Sequence, residues 1–297
     1  MSPQSFPESL TARTALCAVL LAAVCLLAPF SKASASAFTT LHTFCEHADC
    51  RDGAYGIAPP FEDASGNLYG TARGGGKEGA GLAFELTPGG ETFTILYKFC
   101  SKRNCSDGSG PGSGLIMDVN GNLYGTTTDG GKFGEGTVFE LVPDASHSKY
   151  DLVTLYDFCA SSCSEGKNPS FGNLLSYAGQ SSSALYDGVS PLYGTTSYGG
   201  SGYYGTAFEL DYVSGESARQ EKVLYNFCSL SSCTDGSQPA GLVVGSDGSL
   251  FGTTTYGGSA NDGVVFQVRS NAGAFSGMFF TPSARRTAAM ARSRAQL

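Results

Sequence analysis

Four copies of one pattern run through this chain, and they leave it few folds to choose from. Each copy opens on a Phe-Cys step: Phe44-Cys45, Phe99-Cys100, Phe158-Cys159 and Phe227-Cys228. A second cysteine follows, then an acidic-Gly pair, a short apolar run, a Gly-centred turn, a Gly-Thr strand, a Gly-Gly loop and another apolar strand. The Gly-Thr strands read Leu68-Tyr69-Gly70-Thr71, Leu123-Tyr124-Gly125-Thr126, Leu192-Tyr193-Gly194-Thr195 and Leu250-Phe251-Gly252-Thr253. The Phe-Cys steps lie 55, 59 and 69 residues apart (44 to 99, 99 to 158, 158 to 227). A period of this length marks a repeat architecture, in which each unit buries its apolar face against its neighbour.

The segments within one repeat are strands. Tyr124, Thr126 and Thr128 share a face at period two. Before them, Asp118-Val119-Asn120-Gly121-Asn122 carries the glycine and side-chain amides of a hairpin. Gly136 to Leu141 forms a third strand, and Thr92 to Phe99 a fourth, reached through Pro88-Gly89-Gly90. The first strands are expected near Ile57 to Phe61, Gly114 to Asp118, Leu174 to Tyr177 and Leu242 to Val244.

The long connection from Phe99 to Leu115 exceeds hairpin length, so the units divide there. Each unit is then a four-stranded antiparallel meander. This division leaves an orphan strand, Thr39 to Phe44, at one end and a sheet lacking its fourth strand, Gly241 to Val268, at the other. The expectation is an all-β, β-propeller-like ring of four four-stranded sheets over residues 38–270. The N-terminal strand would close it by pairing beside Asp262 to Val268. An open stack of β-meander repeats is the alternative. In the third repeat Ser176 to Ser190 replaces the tight turn and reads as an excursion on one face.

The ends read differently. Arg13, the apolar Ala15 to Phe30 and the small residues Ala33 to Ala37 have the order of a secretory signal peptide over residues 1–37, with cleavage after Ala37 or Ala35. The apolar run is shorter than the roughly 20 residues a bilayer span needs. Residues 271–297 lack strand periodicity and read as a disordered basic tail with Arg285, Arg286, Arg292 and Arg294. The formal charge of −8 is therefore concentrated in the repeats. An acidic body repels phosphate backbones, which speaks against a nucleic-acid partner.

Eight of the ten cysteines form four close pairs: Cys45/Cys50, Cys100/Cys105, Cys159/Cys163 and Cys228/Cys233. With export, they point to one local disulfide per repeat. Closing so small a loop stabilises by about 2 kcal/mol. Zinc is the competing reading, and it would need two pairs brought together as thiolates.

The run Asp107-Gly108-x-x-Pro111, Gly114-Leu115-Ile116-x-Asp118, Gly121 to Thr127, Gly130-Gly131 and Gly136 to Leu141 resembles the choice-of-anchor tandem repeat family called GloVer. The resemblance covers about residues 39–268. It implies an exported bacterial repeat protein, often held at the surface through varied C-terminal anchors, and it brings no settled activity. The cysteine pair in each repeat departs from that pattern, and Met278-Phe279-Phe280 is too short for a hydrophobic anchor.

No reaction is written in the motifs. The acidic-Gly residues Asp52, Asp107, Glu165 and Asp235 could hold Ca²⁺ on one rim. Asp-Gly is equally the usual pair of tight turns, and Glu165 breaks the identity, so the turn reading is preferred. Asp118-x-Asn120-Gly121-Asn122 lacks the distal Glu of a calcium loop. Gly74-Gly75-Gly76-Lys77 has no Ser or Thr after the lysine and is no phosphate loop. Glu85, Glu140 and Glu209 align with Gln267 and read as a solvated strand face. His42, His47 and His147 share no repeat position, so no catalytic set and no cofactor is nominated. The Gly-Gly loops carry aromatics, Phe133, Tyr198, Tyr203, Tyr204 and Tyr256, whose faces could stack on sugars or partner side chains. The expectation is a secreted, cell-surface or periplasmic module that binds or scaffolds a protein or glycan. A polysaccharide-active enzyme using rim carboxylates and a purely structural surface protein are the alternatives.

Overall fold

Alternation of apolar and polar residues in short Gly-bounded runs produces strands almost everywhere. The computed structural model describes residues 38–147, 149–169, 175–180, 184–215, 218–271 and 274–282. The expected signal segment, 1–37, lies outside them. Apart from four single-turn 3₁₀ segments, the regular elements described are strands. Blade 1 holds β1 (Ala54–Gly56), β2 (Phe61–Glu62), β3 (Leu68–Gly74), β4 (Leu82–Leu86) and β5 (Phe93–Lys98). Blade 2 holds β6 (Ser109–Pro111), β7 (Ile116–Met117), β8 (Leu123–Asp129), β9 (Thr137–Pro143) and β10 (Tyr150–Asp157). Blade 3 holds β11 (Lys167–Pro169), β12 (Leu192–Tyr198), β13 (Thr206–Asp211) and β14 (Gln220–Asn226). Blade 4 holds β15 (Ser237–Val244), β16 (Leu250–Tyr256), β17 (Val264–Asn271) and β18 (Ala274–Pro282). The four antiparallel sheets lie in a ring as a four-bladed β-propeller that is open between blades 4 and 1, with almost no helix.

The repeated glycine of the Gly-Thr strand has one physical cause. A Cβ on Gly70 would lie 2.6 Å from Phe84 Cζ, and one on Gly125 would lie 2.7 Å from Phe139 Cζ. Gly194 and Gly252 are pressed in the same way by Phe208 and Phe266. Each glycine is the ladder partner of its phenylalanine, so the ring lies flat over the neighbouring strand of its own sheet.

That ring then receives the Phe-Cys step of the preceding repeat. Phe99 packs on Phe139, Phe158 on Phe208 and Phe227 on Phe266, with centroids 5.0, 5.3 and 5.0 Å apart. Each blade thus has an incoming face that carries the phenylalanine and an opposite, outgoing face, which in blades 1 to 3 is turned to the next blade. Tyr69 and Ala83 of blade 1 pack with Leu115, Leu123 and Leu141 of blade 2. Ile116, Tyr124 and Val138 pack with Leu192 and Leu210 of blade 3. Ala207 and Tyr193 pack with Leu242, Leu250 and Val268 of blade 4. Close apolar contact between sheets of this kind is the main stabilising term in such a fold.

A backbone latch repeats at the same three seams. Gly110 N–H donates to Ala80 O, Asn168 N–H to Glu135 O and Gln238 N–H to Tyr204 O (2.8, 2.8 and 2.9 Å). All three donors have positive φ. The proline after each abuts a loop glycine of the preceding blade: Pro111 on Gly81, Pro169 on Gly136 and Pro239 on Gly205.

Two expectations about the ends are corrected. Thr39 to Phe44 forms no strand and does not pair with blade 4. Ring contacts hold it elsewhere: Phe44 sits on Phe84 (5.4 Å) and His42 stacks on Phe93 (3.9 Å), over the incoming face of blade 1. The place beside β17 goes to β18, in register from Val264↔Pro282 to Asn271↔Ala274. So part of the segment expected to be a disordered tail is the fourth strand of blade 4. The first strands also begin earlier than expected, at Ala54, Ser109, Lys167 and Ser237, straight after the acidic-Gly pairs. The Ser176–Ser190 excursion reaches back to blade 2, where buried Tyr186 exchanges backbone hydrogen bonds with Met117 and Val119.

Candidate functional site

Every repeat builds the same clasp at one rim of the ring. The four expected disulfides are present, each within its own repeat: Cys45–Cys50, Cys100–Cys105, Cys159–Cys163 and Cys228–Cys233. All eight cysteines have positive φ, so each turn is tight. The carbonyl of the second cysteine accepts two N–H groups. One comes from the acidic-Gly glycine: Gly53, Gly108, Gly166 or Gly236, at 2.9–3.1 Å. The other comes from the second glycine of the Gly-Gly loop: Gly76, Gly131, Gly200 or Gly258, at 2.8–3.0 Å. The first glycine of that loop must also be glycine, because a Cβ on Gly130 would lie 2.7 Å from Cys105 O.

Asp107, Asp235 and Glu165 use both carboxylate oxygens inside the clasp, whereas Asp52 Oδ1 is buried without a hydrogen-bond partner. Asp107 is fully buried and accepts Ser101 N–H (2.8 Å), Lys102 N–H (3.2 Å) and Tyr97 Oη–H (2.7 Å). Asp235 repeats this with Ser229 N–H, Leu230 N–H and Tyr225 Oη–H. Glu165 accepts Ser161 N–H, and Asp52 accepts Glu46 N–H. These hydrogen bonds are those of turn-closing carboxylates. Among the described residues, the one cluster with metal-ligand spacing, Glu135 with Cys159 and Cys163, has both sulfurs in a disulfide.

Of the predicted aromatics, Phe133, Tyr203 and Tyr204 stand on these clasped loops and Tyr198 and Tyr256 end the strands that lead into them, and all five are exposed. Phe133, Tyr198, Tyr203, Tyr204 and Tyr256 show between 40 and 65% of their surface. They come from blades 2, 3 and 4, and Lys132 Nζ stands 5.2 Å over the Phe133 ring.

A second set of side chains gathers at the seam of blades 2 and 3, and sequence reasoning missed it. A cavity of about 340 Å³ is lined by Asp118, Asn122, Tyr124 and Glu140 from blade 2, Asp187 from the excursion, and Arg219. Arg219 is buried. It donates to Gly188 O (2.7 Å) and Ser190 O (3.2 Å), and its guanidinium lies 5.7 Å from the ring centroids of Tyr186 and Tyr212. Tyr124 Oη bridges Asp118 Oδ2 (3.0 Å) and Glu140 Oε1 (2.9 Å). A phenol has one proton to donate, so the second bond needs a proton from a carboxyl group. Burial pushes the Glu140 carboxyl up, with the Asp118 charge adding to it, and the Tyr124 phenol is pushed up as well.

Tyr69 bridges Asp63 and Glu85 in the same way in blade 1. The strand glutamates are therefore not a solvated face. Glu85 and Glu140 are half-buried beneath tyrosines, and Glu209 is buried opposite Tyr193. The missed signal was the register, since Tyr69↔Glu85, Tyr124↔Glu140 and Tyr193↔Glu209 are directly opposed. Blade 4 changes both members together, to Phe251↔Gln267.

The Gloeobacter/Verrucomicrobia repeat family matches residues 30–186. No curated protein matches the chain. Among solved structures, a gluconolactonase of Xanthomonas campestris is similar at 16% identity and TM-score 0.39, with 78% of each chain covered. An α-L-arabinofuranosidase of Clostridium thermocellum is similar at 12% identity and TM-score 0.41, covering 77% of this chain and 74% of that one. Such distant likenesses carry no argument about activity.

Proposed function

Because the chain belongs to the Gloeobacter/Verrucomicrobia repeat family and folds as a propeller, we propose that it serves outside the cytoplasm as a binding or scaffolding module for a glycan or protein partner. The observation that carries this reading is the clasped rim: five exposed aromatic rings on, or at the strand ends leading into, loops tied by backbone hydrogen bonds to disulfide turns. Aromatic faces held on rigid loops bind without a large ordering cost. The four disulfides support an oxidising compartment. No helix among the described residues is long and apolar enough to cross a membrane.

A glycan array and a pull-down with the exported protein test the reading. Exchanging Tyr203 and Tyr256 for Ala should weaken the captured ligand at least tenfold while the fold survives, since exposed substitutions cost within about 0.5 kcal/mol. Unchanged binding in that double variant sinks the rim assignment.

One observation favours a second reading, action on a polysaccharide. Glu140, Asp118 and Arg219 converge on one cavity, and the raised Glu140 carboxyl could serve as an acid. Turnover of a polymer that disappears in Glu140→Gln would establish it in place of the binding reading.

A further inference from the structure

Three seams of the propeller are packed, and the residues that seal them have counterparts on blade 4 that face solvent. Ile116, Tyr124 and Val138 are buried on the outgoing face of blade 2. Their counterparts Val243, Phe251 and Val265 are 62, 37 and 47% exposed. Thr71 and Thr126 are buried on this face, and Thr71 Oγ1 donates across its seam to Ser113 O (2.6 Å). Their counterpart Thr253 is exposed. A sheet face with adjacent apolar side chains left open to water marks an interaction surface.

Blade 1 shows the complementary half. Its incoming face carries Phe84 and, over it, the Phe44 ring, as Phe139 carries Phe99. Yet Leu68 and Phe84 are only half-buried, where Leu123 and Phe139 are fully buried. Pro60 holds the place of buried Leu115 and is exposed. Tyr55 aligns with the latch residues Gly110, Asn168 and Gln238 and shares their positive φ, at 58°. For a bulky residue that conformation is costly. At the other three blades it aims an N–H at the preceding blade, but no such bond from Tyr55 is among those described.

We propose that the outgoing face of blade 4 receives blade 1 of a second copy of this chain, head to tail. The occupant is identified by continuity with the internal seams. At all three, what covers an outgoing face of this composition is an incoming face bearing the flat phenylalanine, a Phe-Cys step and a positive-φ latch. The described chain has one incoming face of that kind uncovered, on blade 1. The contact is heterologous, so each copy offers one donor face and one acceptor face.

Sedimentation equilibrium of the full chain over a range of concentrations tests this, with three exposed-site variants. Val265→Asp and Val243→Asp should each weaken self-association at least tenfold and leave the far-UV spectrum and melting curve unchanged. Pro60→Asp should weaken it comparably, and an equimolar mixture of Val265→Asp with Pro60→Asp should regain pairing through the one intact combination. A chain monomeric up to about 100 μM, well above the concentrations at which specific protein contacts form, overturns the proposal. So does association that Val265→Asp abolishes and Pro60→Asp leaves intact, because blade 4 would then be pairing with itself.

Discussion

Side-chain volume at a single backbone position decides whether a blade can form. Gly125 has an ordinary negative φ, so its requirement for glycine is purely steric: the Phe139 ring occupies the space of a Cβ. Gly125→Ala is expected to destabilise the protein by about 2 kcal/mol, as overpacking does. Gly134 has nothing within 4 Å of its Cβ position, and Gly134→Ala should cost less, limited to the strain of its positive φ. Urea titration of the two variants checks the order. Glu221 offers a second residue-scale test. Burial lifts its carboxyl to about 8, with the Glu165 charge adding, and its Oε1 has no hydrogen-bond partner. In the unfolded chain a glutamate titrates near 4.3. Between those values the folded protein holds a proton that the unfolded chain has released, so stability falls as pH rises through this window. The melting temperature should drop from pH 5 to about pH 8.5, and Glu221→Gln should flatten that slope. A slope unchanged in the variant would show that the carboxyl is not the cause.

Single strands and turns were legible to unequal degrees. Asp118 to Asn122 announced its hairpin because the backbone demand and the residue types coincide, and Asp118 Oδ1 accepts the N–H groups of both Asn120 and Asn122. The disulfide pairing was legible because the period repeats it. The role of Glu140 was hidden, since one strand says nothing of what lies opposite on the next. The fourth strand of blade 4 was hidden too, because Ala274 to Pro282 does not alternate cleanly. At this scale the clasp makes its own prediction. Changing both Cys100 and Cys105 to Ser should cost about 2 kcal/mol by the loop-closure estimate. It should also speed hydrogen exchange at Gly131, whose N–H depends on the Cys105 carbonyl. Loss of stability with Gly131 still protected would show that the bridge does not hold the loop.

For the whole ring, periodicity gave blade number and strand order, because each repeat must bury its face against the next. It did not give closure. Phe44 was read as the end of a strand, yet its ring serves blade 1 as Phe99 serves blade 2, and that service needs no ladder partner. The Phe-Cys steps also set how the molecule would bear load. Each step leaves one blade and is stapled by its ring to the following one, with a disulfide directly behind it. Tension applied along the chain must draw that ring from its socket before the next sheet can peel, and the bridged residues then yield no extra length. Stretched by its termini, the protein should give way in discrete steps, each shorter than its repeat length implies and each lengthened when the bridges are reduced.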